Sequence, residues 1–481
     1  MPTAVYDIFV DWNNDGDFLD ANEDITSDVK TIGYSRGKDD ELSKAKVGQL
    51  TLTVNNANGK YSPPNTGSVL TGLLLPRRSI RVRATFASIT YNLFYGYIEE
   101  IVPHPHWQEQ DVVITALDGL DYLARQELDT ILYKDTLTGT LVTNILDNAG
   151  WSATLRSIDT GQDTVPYAYW SKVKARFALG EIEDSEQGFI YINGAGNLVY
   201  EDRWHRYGAT HQTSQATFND TMAGITYSLN PKRIYNIARA TVTPWELKVE
   251  AELWRLEEVP SIPIGGSGTW WGDSEFFVDA WVTPVITTDY TANSQADGLG
   301  TDMTANIGVV TTKFAQTIKL VLTNNGTVPA FITLLKARGT YYDDLTKVTR
   351  KSEDATSQTA YQKRTLPFDG KYLTDADKAQ AYTDYAIAKY KDPQAEVSIT
   401  IQNKTDALLT QILSREISDR ITTANTELGL NAGYFIDAMS HSIDISGLSH
   451  STTYLLRDAT NEDFWCLDYS ALGTGTKLAY A

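Results

Sequence analysis

The chain has 481 residues, more than one hydrophobic core usually organises, so about two to four domains are expected. Aromatic residues make up 11% of the chain while Met occurs only four times, a balance that favours β-rich domains over helical bundles. Asp and Glu outnumber Lys and Arg by 61 to 41, and the resulting formal charge of −20 argues against sequence-specific DNA binding.

Residues 1–130 consist of short segments in which apolar and polar residues alternate, the pattern of half-buried strands. The segments are YDIFVDW, QLTLTV, SIRVRATF, NLFYGYIEEIV and DVVITALDGLDYL. Turns rich in Gly, Pro and Asn, such as NNANGK and YSPPNTGS, separate several of them. This region is predicted to be a β-sandwich or β-barrel.

Residues 131–220 mix two kinds of pattern. LTGTLVTNILDNAGW and KVKARFALGEIEDSEQGF are typical of short helices, whereas FIYINGAGNLVYEDRW reads as a hairpin with a Gly-Asn turn. The sequence predicts a small α+β domain here.

From residue 221 onward strand patterns return, and a self-contained β series interrupts them. The series, residues 252–345, has the length and spacing of an inserted immunoglobulin-like β-sandwich. One long helix is predicted at residues 375–391, started by Thr374 and Asp377 as a capping box, with Ala379, Tyr382, Ala386 and Tyr390 on its inner face. Residues 401–481 are predicted to form a C-terminal β region.

One acidic loop follows the residue order of calcium-binding loops. DWNNDGDFLDANEDIT, residues 11–26, matches D-x-[DN]-x-[DN]-G. The candidate calcium ligands are Asp11, Asn13, Asp15, Asp17 and Glu23. Asn22 stands where the bidentate Glu is expected, and the flanks are strand-like, so the loop is not an EF-hand. Two interpretations stay open: a calcium site, or an Asx-rich turn that hydrogen-bonds to itself.

Motifs for catalysis are missing from the sequence. It contains no G-x-S-x-G, Walker loop or H-E-x-x-H, and the Pro residues around His104 and His106 favour a loop there over a metal site. Acid pairs such as Glu99 with Glu100 and Asp118 with Asp121 are expected by chance among 61 acids. No catalytic residue is therefore predicted.

Two further features concern partners and compartment. Arg81 and Arg83 share one face of a strand, either on a solvated sheet edge or on a surface that ion-pairs with an acidic subunit. A single cysteine, Cys466, with apolar neighbours that suggest burial, excludes an internal disulfide framework. The sequence shows no export signal and no apolar run of about 18 residues, so no membrane-spanning segment is predicted.

The order of these motifs resembles the baseplate hub and tail-tip proteins, also called tail-associated or minor tail proteins, of long-tailed bacteriophages. The resemblance covers most of residues 1–250. It rests on these segments in sequence: VDWNNDGDF, VGQLTLTVNNANGKYSPPN, LLLPRRSIRVRA, LFYGYIEEI, VVITALDGLDYLARQ, TLVTNILDNAGW, GAGNLVYEDRW and RIYNIARATV.

This resemblance implies a mainly β fold with two tail-tube-like barrels in each chain. The first barrel would occupy residues 1–130, and the second would be assembled from residues 221–251 and 346–400. A homotrimer would then present six barrels and join a six-fold tail tube or distal tail ring to a three-fold tip. Such a hub lines or closes the channel through which DNA is ejected.

The resemblance also implies a set of partners and a location. The partners are further copies of the chain, the distal tail protein or tail tube protein, the tape measure protein, tip or fibre proteins, and genomic DNA that passes without specific binding. The protein would be a non-enzymatic part of the virion tail tip, assembled in the bacterial cytoplasm, with acidic channel walls that do not hold DNA.

A second function fits part of the sequence. The acidic loop, the many Trp and Tyr residues and the sandwich patterns are also found in calcium-dependent carbohydrate-binding proteins and glycoside hydrolases built from several β domains.

Overall fold

The structure is a computed structural model that describes residues 1–40, 42–106 and 109–459, together with the backbone of two short strands near the C-terminus. Cys466 lies outside the described residues. Strands account for 46% and helices for 17% of the structure, which confirms the predicted mainly β class.

The first six strands follow the alternation read from the sequence, with apolar residues such as Ile8, Leu50 and Leu52 buried and polar residues between them. A short helix, α1 (Gly119–Arg125), follows them, and the Asp118 side chain caps it by accepting the Leu120 N–H. The strands are β1 (Val5–Val10), β2 (Val29–Gly37), β3 (Lys46–Asn55), β4 (Ser79–Phe86), β5 (Ile89–Pro105) and β6 (Gln110–Leu117).

An α+β module follows, in which helices α2 and α3 pack through buried Leu141, Ile145, Leu179 and Ile182. Its strands form two two-stranded sheets, β8 with β10 and β7 with β11, and the three-stranded sheet β12-β13-β9. The elements are β7 (Glu127–Asp129), β8 (Tyr133–Leu137), α2 (Thr138–Asn148), β9 (Arg156–Ile158), β10 (Thr164–Ala168), β11 (Ser171–Lys174), α3 (Ala175–Glu186), β12 (Phe189–Ile192), β13 (Leu198–Glu201), α4 (Ala209–Gln212) and β14 (Ala216–Phe218).

Next comes a sandwich of two sheets. Strands β17, β18, β20 and β21 pair with β24 in one sheet, and β19-β23-β22 form the other; side chains such as Leu320 and Leu335 share one core between them. The strands of the sandwich are β17 (Trp245–Arg255), β18 (Ser261–Ile262), β19 (Ser267–Asp273), β20 (Phe277–Trp281), β21 (Tyr290–Asn293), β22 (Ile307–Lys313), β23 (Thr317–Asn324) and β24 (Ala330–Asp344). β15 (Gly224–Leu229) and β16 (Ile237–Val242) precede it in the chain and belong to other sheets.

The last part of the chain contains the predicted long helix, α6 (Ala376–Tyr390), which buries Ala379, Tyr382, Ala386 and Tyr390 as expected. The other elements are β25 (Val348–Glu353), α5 (Ala355–Tyr361), β26 (Thr365–Phe368), β27 (Ala395–Gln402), α7 (Asp406–Ser414), β28 (Arg420–Asn425), β29 (Leu430–Asp444), β30 (Ser449–Asp458), β31 (Phe464–Trp465) and β32 (Lys477–Leu478). Short 3-10 turns lie at Thr26–Asp28, His205–Tyr207, Pro231–Arg233 and Thr304–Asn306.

The start of α6 differs from the prediction. The side chain that caps the helix belongs to Asp375, which accepts the N–H groups of Asp377 and Lys378 at 2.7 and 3.3 Å, and not to Thr374. A carboxylate at this position also interacts favourably with the helix dipole.

The ranges assigned to a second barrel, 221–251 and 346–400, divide among three sheets. β15 and β27 belong to the largest sheet, β16, β25 and β26 form a separate sheet against α6, and β17 belongs to the sandwich. The division of the chain into domains at the predicted boundaries stays a prediction.

The largest sheet has twelve strands within the described residues and contains one five-strand order twice. The order β4-β5-β6-β3-β2 in the first half corresponds to β28-β29-β30-β27-β15 in the second. Both central hairpins shift register by one residue, at Glu99 in β5 and at Asp437 in β29. The sheet is therefore a tandem repeat whose halves lie side by side.

A second detail marks the repeat. In the first half the Arg77 N–H donates to the Ile98 carbonyl, and in the second half the Ser418 N–H donates to the Ile436 carbonyl. Arg77 and Ser418 both have left-handed backbones, with φ of 67° and 70°. The turn that leads into β4 is thus reproduced before β28 although the two sequences have no residues in common there.

Candidate functional site

The two halves of the large sheet meet where β2 pairs with β29, and we call this pairing the internal joint. Residues 31–37 run antiparallel to residues 438–444. Tyr34 lies opposite His441, and their rings stack with centroids 4.4 Å apart and planes 8° apart. Gly37 ends the joint with φ of 108°, and a Cβ there would lie 2.4 Å from the Asp437 carbonyl oxygen, so the position requires glycine.

Two buried histidines stand behind the internal joint. His441 Nδ1 and His450 Nε2 lie 2.9 Å apart, and the Tyr6 hydroxyl lies 2.9 Å from His450 Nδ1. Burial lowers the pKa of His450 to about 3, and burial next to His450 and Arg36 lowers the pKa of His441 well below its usual range. The pair is therefore neutral near pH 7.

The repeat has a second position equivalent to the internal joint, and no strand among the described residues pairs there. On β5, pairing with β4 ends at Tyr97, and Ile98 still bonds to the backbone of Arg77 and Arg78. Among the described strands, residues 100–105 pair with β6 only. On the other edge of the sheet, β15 pairs only with β27 among the described strands. By the shared registers, β15 is the equivalent of β2, and residues 100–105 are the equivalent of the part of β29 that pairs with β2.

Equivalent residues differ sharply in exposure between the internal joint and these open edges. Tyr227 of β15 corresponds to Tyr34 of β2, and it is 43% exposed where Tyr34 is 3% exposed. Pro103 of β5 corresponds to His441, and it is half-buried where His441 is buried. Leu229, at the end of β15, is 60% exposed. The open edges thus present apolar side chains at positions that the repeat buries elsewhere.

The strand β5 also corrects the predicted loop at His104. It continues through Pro103 to Pro105, and His104 is exposed opposite Asp111 of β6. A proline is tolerated here because its missing N–H faces the open edge, not β6. The two histidines of this segment do not form a metal site with an acid or cysteine among the described residues.

The face of the large sheet opposite its core is rich in hydroxyl groups. Between β27 and β3, two adjacent cross-strand rows of these described strands contain no charged side chain. The rows are Thr400, Thr453, Ser440, Ser35 and Gln49, and Gln402, Ser451, Ser442, Gly33 and Thr51. This part of the face is polar and neutral.

The acidic loop, residues 11–23, connects the end of β1 with a return segment at Glu23–Ile25. Backbone bonds from the Val10 N–H to the Glu23 carbonyl and from the Ile25 N–H to the Ile8 carbonyl hold the two ends together. Asp11 is 2% exposed and accepts the N–H groups of Asn14 and Gly16 at 2.5 and 3.0 Å. The Asx-turn bonding expected of such a loop is present.

Three acids of this loop converge. One carboxylate oxygen each from Asp11, Asp15 and Glu23 lies within 4.8 Å of the other two. Burial raises the pKa of Glu23, and the charges of Asp11, Asp20 and Asp15 raise it further.

The remaining candidate ligands lie elsewhere. Asp17 groups with Asp15 and with Asp20, which sequence reasoning did not include, in a second cluster that is fully exposed. The Asn13 side chain donates to Asp15 and Asp20 at 3.0 and 2.5 Å.

The arginines next to this loop are not on a sheet edge, because β4 pairs with β1 on one side and β5 on the other. The guanidinium of Arg81 lies 4.2 Å from the centre of the Phe18 ring and 4.9 Å from that of Phe9. Arg83 lies 3.8 Å from Asp7. The interpretation of a solvated strand edge is wrong, and the acidic loop covers part of this basic surface through Phe18.

Three acids of the two pairs noted in the sequence, Glu99, Asp118 and Asp121, have structural partners. Asp118 accepts the Gly48 N–H at 2.7 Å as well as capping α1, and burial raises its pKa to about 7. Asp121 and Glu99 bind Arg125, and Asp121 also binds Arg77 at 2.5 Å. These carboxylates connect loops and α1 to the sheet.

Sequence reasoning missed a buried ionic cluster at a cleft of about 450 Å³ between the α+β module, α6 and the large sheet. Arg203 binds Asp163 through both terminal nitrogens at 2.8 and 3.0 Å, and Lys378 of α6 binds the same carboxylate at 2.6 Å. Arg206 binds Asp437 at 3.0 Å. The partners are far apart in sequence, so no local motif marks them.

No helix within the described residues is long and apolar enough to span a membrane.

No family model and no curated protein matches the sequence. Solved structures do match. The 43 kDa tail protein of prophage MuSo2 from Shewanella oneidensis is 10% identical, with a TM-score of 0.50, over 95% of this chain and 98% of that chain.

A tail protein from Neisseria meningitidis MC58 is similar to the same degree. It is 9% identical, with a TM-score of 0.50, over 95% of this chain and 97% of that chain. At such identities the likeness concerns the fold, and it extends over nearly the whole of both proteins. The resemblance to phage tail proteins that the motifs indicate is confirmed at this level: the chain has the fold of phage tail proteins.

Proposed function

We propose that the protein is the structural hub of a bacteriophage tail tip or baseplate, a homotrimer that joins a six-fold tail tube or distal tail ring to a three-fold tip. The observation that carries this proposal is the tandem repeat with its open edges. Two different edges that complement each other produce a closed head-to-tail ring when the rotation between copies fits. Three chains with two repeats each supply six similar units.

The internal joint supplies the register of the proposed contact between subunits. If β15 of one subunit pairs with β5 of the next as β2 pairs with β29, Tyr227 lies opposite Pro103 and Leu229 lies opposite Ile101. Tyr227 then covers the proline ring as Tyr34 covers His441. Pro103 and Pro105 offer carbonyl groups but no N–H, so side-chain contacts contribute much of the stability at this contact.

The proposed channel wall is the hydroxyl-rich face of the large sheet. The net charge led to the expectation of an acidic wall, but the two rows consist of Ser, Thr and Gln residues with one Gly and are neutral. A neutral polar wall presents no cation to hold phosphate, so it suits a conduit for DNA as well. In this role the chain works by assembly with the distal tail or tube protein, the tape measure protein and tip or fibre proteins, not by catalysis.

Cysteine cross-linking tests the proposed subunit contact. In a background with Cys466→Ser, the chain carrying both Tyr227→Cys and Pro103→Cys is expected to form disulfide-linked trimers under mild oxidation, because facing strand residues meet the distance requirement of a disulfide. Val249 is 84% exposed and lies in the sandwich, so Val249→Cys with Pro103→Cys is the matched control and should not cross-link specifically.

Light scattering on the unmodified chain gives the oligomeric state independently. A trimer or ring that cross-links only through the Tyr227 and Pro103 pair supports the hub. A monomer at all concentrations that binds glycans would contradict it and favour the carbohydrate-binding alternative.

A further inference from the structure

We propose that the acidic loop, residues 11–23, binds one calcium ion through Asp11, Asp15 and Glu23. The inference stands apart from the hub proposal, because it depends only on the chemistry of this loop.

The decisive observation is that the Glu23 side chain is buried with one carboxylate oxygen lacking a hydrogen-bond donor. The residue is 1% exposed, and Oε2 accepts the Asp20 N–H at 3.1 Å. Oε1 is buried as well and has no hydrogen-bond donor. A buried carboxylate oxygen without a donor costs free energy, and that cost rises when other carboxylates lie close by.

The neighbours of Glu23 make a cation the fitting partner. Asp11 and Asp15 each place a carboxylate oxygen within 4.8 Å of one from Glu23, so three negative groups converge on one point. The N–H groups of Asn14, Asp15 and Gly16 bind Asp11, so the turn bonding satisfies Asp11 but leaves Glu23 Oε1 unsatisfied. A self-bonded Asx turn therefore explains only part of the loop.

The donor set favours calcium over other common ions. All three groups are carboxylates, which are hard oxygen ligands, and no His or Cys belongs to the cluster. Calcium accepts six to eight oxygen ligands in flexible geometry, so water and backbone carbonyls can complete its shell. Magnesium demands a nearly ideal octahedron and retains its water more strongly.

An ion at this point would connect the two ends of the loop. Asp11 directly follows β1, an edge strand of the large sheet, and Glu23 opens the return segment that pairs with Val10 and Ile8. Phe18, between them, packs on Arg81 and near Tyr95. Calcium would thus fix the end of β1 and the position of Phe18 on the sheet.

Calorimetry and thermal unfolding of the full chain test the proposal, with calcium chloride as the ligand after dialysis against EDTA. We expect one site with a Kd between about 1 µM and 1 mM, and weaker binding of magnesium. Glu23→Gln should weaken calcium binding about tenfold or more. Glu100→Gln is the control, because Glu100 is an exposed glutamate on β5. Asp15→Asn, at an exposed position, gives a second variant that does not depend on changing a buried residue.

The thermal unfolding of Glu23→Gln shows whether Glu23 is a calcium ligand or only a hydrogen-bond acceptor that holds the loop. Glutamine still accepts the Asp20 N–H but removes a buried charge, so the variant should be more stable than the unmodified chain in EDTA and less stable in calcium. Trp12 lies in the loop, with its ring N–H 3.2 Å from the Asn22 carbonyl oxygen, so terbium bound there should show tryptophan-sensitised luminescence that calcium displaces. Absence of heat up to 10 mM calcium (about tenfold above the weakest Kd expected), or equal binding by Glu23→Gln, would overturn the proposal.

Discussion

The two halves of the large sheet share a strand order but differ in what covers their edges. In the second half, β29 receives β2 from the first half, and Tyr34 is buried against His441. In the first half, no described strand pairs with the equivalent part of β5, and the residue equivalent to Tyr34 is the exposed Tyr227 on the other edge. One contact is thus made inside the chain, and its counterpart is left open.

The difference teaches how a repeat can encode an assembly. If both edges of a two-repeat sheet were covered by other segments of the same chain, the monomer would have no open edge for a second copy to pair with. In the proposed assembly, the end of β5 would instead pair with β15 of another subunit, because the described strands of one chain do not bring these two segments together. Substitutions at equivalent positions should therefore change folding in one half and association in the other.

The largest loss in the free energy of unfolding is expected from a substitution at the end of the internal joint. Gly37→Ala places a Cβ 2.4 Å from the Asp437 carbonyl oxygen at a backbone angle that only glycine adopts readily, so the free energy of unfolding should fall by about 3 kcal/mol or more. Gly224→Ala in β15 meets open space and should change it by less than about 0.5 kcal/mol. Urea denaturation measures both variants; equal losses would refute the difference between the two edges.

Removing the equivalent tyrosines should separate folding from association. Tyr34→Ala leaves a cavity in the core next to His441 and should lower the free energy of unfolding by about 3 to 5 kcal/mol. Tyr227→Ala should leave the unfolding of dilute monomer unchanged within about 0.5 kcal/mol but shift the trimer toward monomer in sedimentation experiments. A Tyr227→Ala chain that associates normally would argue against the proposed register.

Acid should weaken the internal joint through its histidine pair. The pKa of both histidines is lowered in the folded state, to about 3 for His450, while the unfolded value is about 6.5. The unfolded chain therefore binds more protons, and stability that is complete above about pH 6.5 is lost as the pH falls toward 3. At pH 5 the lowered pKa of His450 should reduce the free energy of unfolding by about 2 kcal/mol, and His441 should reduce it further.

Variants assign that pH dependence to the pair. His441→Phe keeps an aromatic ring beside Tyr34 and removes one titrating group, so the loss of stability between pH 7 and pH 5 should be smaller than in the unmodified chain. His104→Asn changes an exposed histidine and should leave the slope as it is. If both variants lose stability with the same slope as the unmodified chain, other groups are responsible.

The smallest effect is expected outside both halves. Asp375→Ala removes the cap of α6 and should cost about 1 kcal/mol, whereas Thr374→Ala should cost a few tenths, about 0.3 kcal/mol. Thermal unfolding compares the two variants. A larger loss of stability in Thr374→Ala than in Asp375→Ala would support the capping box predicted from the sequence.

Local patterns identified much of this fold. Alternation found the strands of residues 1–130, and the spacing of Ala379, Tyr382, Ala386 and Tyr390 found the buried face of α6. These features depend on neighbours within a few residues, which a single sequence displays directly. The motif order then indicated the tail-protein fold that the solved structures confirm.

Long-range pairing was beyond the sequence. Alternation shows which face of β2 is buried but not that β29, about 400 residues later, lies beside it. For the same reason Arg203 gave no sign of binding Asp163. The continuation of β5 through Pro103 was missed because a proline is excluded only from a strand that is paired on both sides. In the acidic loop the order of residues was visible, but the burial of Glu23 was not.

The pairing of β2 with β29 also implies a delay during synthesis, because β2 is made long before the strand that pairs with it. At about 5 to 20 residues per second, the roughly 400 residues that separate β2 from β29 take about 20 to 80 s to make. Over that interval β2 has an unpaired edge because β29 has not yet been made, and the end of β5, residues 100–105, is already exposed. Nascent chains released at residue 425 should therefore be cut by protease near β2, whereas the full-length chain, in which β29 covers β2, should be protected there.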